Sequence, residues 1–253
     1  MQTETMSRQV VYGRNAVAEL LKANPDRVSK IYFQFNTNEK RILELFIKAK
    51  QHQISIGKAS NQKLGDLAKT NKHQGVVALI TDVKMMELDD LLQDESLKPF
   101  FFVLLDNLED PHNLGAIIRT AECAGATAIL LPKDNAVPIN STVHKTSAGA
   151  VSHARLCRIG NVAQTIERLK KQGIWVVGTD MRAKKTYTEF DFTMNVCIVI
   201  GSEGKGIRDL VKKSCDELVS IPMRGKTTSL NASVSAAVML YEVVRQRQLV
   251  SKP

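Results

Sequence analysis

Two loops concentrate the groups best suited to hold a small ligand. The apolar run 196–200 opens into GSEGKGI (201–207), and the run 218–221 opens into IPMRGKTTSLNAS (221–233). The second loop feeds a segment dense in small residues: Ala232, Ser233, Ser235, Ala236 and Ala237. Glycine and small residues allow close approach, so backbone amides on such loops can grip a ligand without large side chains. Ser229 or Asn231 could also cap the helix that follows, and capping is compatible with ligand contact. A third cluster, NLGAIIRT (113–120), sets Asn113 at a helix start beside the end of the first strand and Arg119 six residues on. Those two do not share a helix face well. Between Ile118 and Thr120, Arg119 is expected to be partly buried and to need an anionic or hydrogen-bonding partner, which could be an internal salt bridge with Glu203 or Glu122.

The placement of glycines excludes two common ligand folds. A dinucleotide-binding domain shows its glycine fingerprint after the first strand, where this chain has only Gly115. GSEGKGI is not a phosphate-binding P-loop either, because Lys205 is not followed by Ser or Thr at the required spacing. Cys123, Cys157, Cys197 and Cys215 are scattered and the five histidines lack ligand spacing, so no metal is expected.

The elements that must position these loops follow from periodicity. Residues 9–82 alternate strand and helix signals and make a small α/β module. Residues 83–98 are locally acidic and read as a linker, giving domains at 1–82 and 99–253. FFVLLDNL (101–108) is continuously apolar, as in a strand buried on both faces, and a helix follows from about Asn113 to Ala124. Strands alternating with helices continue to the end, which predicts a doubly wound parallel sheet. No segment approaches the ~20 apolar residues of a membrane span, and the N-terminus lacks a secretory signal. A cytoplasmic protein is expected. Residues 1–82 carry 13 Lys/Arg against 7 Asp/Glu and residues 83–253 carry 22 against 19, so the positive excess sits in the first module. A polyanionic partner and a merely lysine-rich surface both fit that excess.

NLGAIIRTAECAGA, IVIGSEGKGI and IPMRGKTTSLNASVSAA resemble, in order and spacing, the three motifs of the SpoU/TrmH family of RNA ribose 2′-O-methyltransferases. Cys123 and Ala232 are small departures from that pattern. The first 82 residues resemble the substrate-binding domain, similar to ribosomal protein L30e, of the RlmB-like branch that modifies a guanosine of 23S rRNA. The resemblance implies an α/β protein: a trefoil-knotted parallel-sheet (SPOUT) domain preceded by a small L30e-like RNA-binding domain. It implies S-adenosylmethionine as cofactor, structured RNA as substrate, and a homodimer whose active site joins residues of both subunits. By motif position, Gly201, Ile221, Met223 and Leu230 are expected at the donor, and Asn113, Arg119, Glu203, Ser229 and Asn231 form the catalytic polar set. Arg14, Lys22, Lys30, Lys40 and Arg41 are expected to contact RNA phosphates, with Tyr12 and Phe35 the aromatics available for stacking. Transfer RNA is the alternative substrate, and a non-catalytic RNA- or ribosome-binding protein the alternative class.

Overall fold

The computed structural model describes residues 9–35, 40–52, 54–80, 83, 85–134, 137, 139 and 141–250. Two compact units emerge: residues 1–84 with 139–153, and residues 85–138 with 154–253.

In the first unit β1 (Gln9–Tyr12) leads through Gly13 into α1 (Arg14–Ala23), whose Val17, Leu20 and Leu21 are buried at helical spacing. Then come β2 (Val28–Gln34), α2 (Lys40–Gln51), β3 (Ser55–Ala59), α3 (Asn61–Ala68) and β4 (Val76–Ile80). The sheet order is β1-β4-β2-β3, with β4 antiparallel to β1 and β2, and β2 parallel to β3. One face carries Ile31, Phe33, Val76 and Ala78 against α1 and α2. Ser60 stops β3 and caps α3 by accepting the Lys63 N–H at 3.2 Å.

The second unit begins at residue 85, inside the stretch 83–98 expected as a linker and ahead of the expected domain start at 99. There α4 (Leu88–Gln93) buries Leu88 and Leu91 against Phe100, Phe102 and Ile166, and the Met86 N–H bonds the Leu156 carbonyl at 2.8 Å. The acidic residues of that stretch occupy only its outer face. The unit continues with β5 (Phe101–Leu105), α5 (Pro111–Cys123) and β6 (Ala128–Pro132). Helix α5 starts two residues before Asn113, because Asp110 accepts the His112 N–H at 2.9 Å and Pro111 fits the first turn. α6 (Ser141–Thr146) belongs to the first unit, where the Lys145 ammonium lies 5.3 Å from the centre of the Tyr12 ring and the Asn24 amide bonds the Ser152 carbonyl. β7 (Leu156–Ile159), α7 (Val162–Lys171), β8 (Trp175–Thr179), β9 (Lys185–Thr186), β10 (Val196–Ile200), α8 (Asp209–Ser214), β11 (Glu217–Ser220) and α9 (Ala232–Val250) complete the second unit.

Its seven strands are ordered β7-β6-β5-β10-β8-β11-β9 and all pair in parallel. Every residue of β5 and β10 is buried. Phe102, Leu104, Cys197 and Val199 face the core shared with α4, α7 and α8. Strand alternation turns Phe101, Val103 and Leu105 to the opposite face, where α5 and α9 pack together and α9 lies on β10. Among the described residues no helix is long and apolar enough to cross a membrane.

Candidate active site

A parallel sheet gathers the carboxyl ends of its strands along one edge, and ligands bind in the crevice there, where strand order reverses. Here β5 pairs with β6 on one side and with β10 on the other, Leu105 abreast of Ile200. The loops that follow β5, β10, β8 and β11 therefore converge.

The loop after β10 folds back on itself. The Ser202 N–H donates to the Gly206 carbonyl at 3.1 Å and the Gly206 N–H to the Ser202 carbonyl at 2.9 Å. Gly204 and Gly206 have φ of 74° and 67°, the left-handed region that favours glycine. Gly201 is required for a different reason. A Cβ there would lie 2.2 Å from the Gly206 carbonyl carbon and 2.3 Å from the Ile207 nitrogen.

This loop presents Glu203 to two asparagines. The Asn113 Nδ2 donates to Glu203 Oε1 at 3.0 Å, and the Asn231 Nδ2 donates to the same oxygen. At its other end Asn231 caps α9, its Oδ1 accepting the Ser233 N–H at 2.9 Å and the Ser233 hydroxyl at 2.6 Å. Asn231 thus fixes the entry of α9 and orients the carboxylate at once. Asn113 is 95% buried but lies in the first turn of α5, so its amide can still reach the loop.

A cavity of about 330 Å³ lies on one side of the 201–206 loop, within the usual size of a small-molecule site. Apolar Ile200, Val219, Ile221 and Leu230 meet polar Asp180, Glu203 and Ser229 on its walls. A second hollow of about 230 Å³ lies on the other side, lined by Glu109, Asp110, Asn113, Ser202, Glu203 and Lys205. The loop carrying Glu203 is the partition between the two.

The model of the SpoU rRNA methylase family matches residues 100–241, and that for RNA 2′-O ribose methyltransferase substrate binding matches residues 10–86. The chain belongs to the SpoU methyltransferase family. It is 40% identical over 240 residues to the 23S rRNA (guanosine-2′-O-)-methyltransferase RlmB of Coxiella burnetii, covering 94% of this chain and 96% of that protein. It is 45% identical over 251 residues to YacO of Bacillus subtilis, placed in the TrmH family of tRNA/rRNA methyltransferases, covering 98% and 100%. In three dimensions it resembles the SpoU methyltransferase AviRb from Streptomyces viridochromogenes, solved with AdoMet, at a TM-score of 0.79 and 26% identity, over 95% of this chain and 90% of that one.

On this SpoU fold Gly201, Ile221, Met223 and Leu230 all line the larger cavity, together with Glu203 and Ser229. Asn113 lines the smaller one, and Asn231 stands at the partition through Glu203. Arg119 lines neither and is exposed rather than partly buried, with no ion pair to Glu203 or Glu122. The core face of α5 is taken by Asn113, Leu114, Gly115, Ile117, Ile118 and Ala121, and helical geometry turns position 119 outward.

Sequence reasoning missed the loop after β8. Thr179, Asp180, Met181 and Arg182 line the larger cavity, and Lys212 pairs with Asp180 at 2.6 Å. Burial pushes the Asp180 carboxyl pKa up, but the Lys212 ammonium and the Arg182 N–H outweigh it and hold the group below its ordinary value. The signal was available: the strand run IWVVGT leads directly into Asp180, on the ligand edge of the sheet.

In the first unit Lys22, Lys40 and Arg41 are exposed, whereas Arg14 and Lys30 are half-buried. The Arg14 side chain donates to the Gln74 carbonyl at 3.1 Å, and the Lys30 ammonium sits 5.0 Å from the centre of the Tyr32 ring. Of the expected stacking residues Phe35 is exposed, but Tyr12 is buried against Leu64 and Val77 because strand alternation turns it inward. Tyr32, half-buried with Lys30 and Lys63 at its ring, is the aromatic that the sequence did not single out.

Proposed function

We propose that this protein methylates the ribose 2′-hydroxyl of a guanosine in 23S ribosomal RNA, using S-adenosylmethionine. The observation that carries the reading is the partition. One glycine-rich loop separates a cavity of cofactor size from a polar hollow and holds its carboxylate between two asparagines. Identity near 40% to RlmB proteins over almost the whole of both chains supports the choice of RNA.

The larger cavity fits the donor: apolar walls suit an adenine ring, and the close passage of Gly201 on Gly206 leaves backbone rather than side chains at the rim. Gly201, Ile221, Met223 and Leu230 would hold it. When bound, the donor supplies a methyl group already electrophilic on a sulfonium, so the protein's task is alignment of the hydroxyl and disposal of its proton. Glu203 Oε1 is occupied by two amide donors, which favours an orienting role over proton abstraction. Asn113 lines the polar hollow and Ser229 the larger cavity, which supports roles in hydrogen-bonding the ribose or the donor's amino-acid end.

Arg119 enters through the dimer. Exposed on α5 and outside both cavities, it is suited to act across an interface, so Arg119 of the partner subunit would reach the acceptor. Exposed Val234 and Tyr241 on α9 give that interface an apolar surface to cover. A guanidinium keeps its proton at physiological pH, so its part is to grip the target phosphate or stabilise the developing alkoxide while water or phosphate takes the proton. The segment from β10 to α9 is read as the trefoil knot, and the enzyme as cytoplasmic.

The test uses the purified protein, labelled S-adenosylmethionine and a mixture of unmodified 23S rRNA and transfer RNA, followed by mapping of 2′-O-methyl groups. Label at one guanosine of 23S rRNA is expected. Label confined to transfer RNA would select the alternative substrate, and calorimetry without any heat for S-adenosylmethionine would indicate a binding protein.

A further inference from the structure

The loop bearing Glu203 is held at both ends by a single residue. The Asp106 N–H donates to the Ile200 carbonyl at 2.8 Å, where the loop leaves β10. The Asp106 carboxylate, fully buried, accepts the Arg208 N–H at 2.8 Å, Nε at 2.8 Å and Nη2 at 2.6 Å, where the loop ends. Neither residue lines either cavity. Burying a carboxylate completely is costly, and an apolar pair often serves stability as well. What an apolar pair cannot do is fix three donors in one geometry, as a forked guanidinium and its own backbone do here. Asp106 also begins the segment that runs on through Asp110 into α5, so one clamp registers the loop of Glu203 against the helix of Asn113.

We propose that Asp106 and Arg208 are positioning residues for methyl transfer, setting where the partition stands and hence the contact of Glu203 with Asn113. This rests on the methyltransferase reading above. The test uses full-length protein carrying Arg208→Lys or Asp106→Asn, each alone and combined with Glu203→Ala, with kcat, donor Kd and Tm measured. Arg208→Lys keeps the charge and the backbone N–H but loses the fork. The loop also lines the donor cavity, so its misplacement by about 1 Å predicts kcat lowered about 10- to 100-fold, with a smaller rise in donor Kd. Because the clamp acts through Glu203, its loss should cost less than about threefold more in the Glu203→Ala background. Wild-type kcat in folded Arg208→Lys and Asp106→Asn would overturn the proposal. So would losses that multiply in the double variants, donor Kd rising in step with the fall in kcat, or failure of both single variants to fold, which would mark a purely structural pair. Absence of transfer by the unaltered protein would instead count against the methyltransferase reading.

Discussion

Replacing Gly201 with alanine puts the donor pocket to its most direct test. The new Cβ would lie 2.2 Å from the Gly206 carbonyl carbon, 2.3 Å from the Ile207 nitrogen and 2.4 Å from the Gly206 oxygen. All three are backbone atoms, so no side chain can swing aside. Ordinary contact begins at 3.4 Å, so the Gly206–Ile207 peptide must retreat by about 1.2 Å. That peptide closes the loop that lines the larger cavity and carries Glu203. A misplacement of about 1 Å costs about 100-fold in rate, and overpacking of this kind costs about 1–3 kcal/mol of stability. Gly201→Ala should therefore raise the donor Kd in calorimetry, lower kcat on ribosomal RNA by about two orders of magnitude, and lower Tm by several degrees. Gly225→Ala is the control, because nothing lies within 4 Å of its added Cβ. Gly204→Ala also meets open space, but its φ of 74° predicts a penalty of about 1–2 kcal/mol from backbone strain alone. A Gly201→Ala enzyme with unaltered Kd and kcat would refute the reasoning, even if Tm fell, since the loop would have absorbed the methyl group away from the site.

Four further outcomes are expected. Glu203→Gln should keep most of kcat, because an amide oxygen can still accept from Asn113 and Asn231; a rate loss that follows a carboxylate titration in the wild type would contradict this. His144 is held down to about 3 by burial and, secondarily, by Arg27. Its folded pKa lies below the unfolded value near 6.5, so the unfolded chain binds the proton first. Stability is then intact above that pH and falls by at most about 1.4 kcal/mol per unit as pH drops from there toward 3. Urea midpoints across that window should flatten in His144→Gln, and parallel curves would disprove the assignment. Arg247→Leu should destabilise by about 2–4 kcal/mol in urea unfolding, because Arg247 donates to the carbonyls of Pro99, Phe100, Phe192 and Met194 and ties α9 to the segments that lead into β5 and β10. Lys40→Glu with Arg41→Glu should weaken RNA binding and reduce its salt slope by about 0.7–0.9 per lost phosphate contact, with donor Kd unmoved; an unchanged slope would remove them from the RNA surface.

Some of this was legible because the cause is local. FFVLL and VCIVI are too short and too continuously apolar to suit an amphipathic helix and read as strands sheltered on both faces, and the alternation of strands with helices named a parallel sheet. Gly201, Gly204 and Gly206 pointed to a tight loop after the strand, and a helix start was legible at Ser229 or Asn231, of which the structure makes Asn231 the cap. Acidity at 83–98 hid Leu88 and Leu91, since composition averages over a helix whereas burial depends on one face of it.

What the amino-acid order settled, then, is which segments are strands, which turns need glycine, and which motifs place the chain among the SpoU methyltransferases. What only the tertiary structure decided is who meets whom. A buried apolar strand pairs equally well with any other, so nothing local says that β10 sits between β5 and β8. Yet that seat brings Glu203 to Asn113 across 90 residues of chain and adds Asp180 to the cavity. It also leaves Arg119, part of the same motif as Asn113, facing outward: six residues of helix set two side chains about 120° apart, and only the packing of α5 shows which of the two faces is buried.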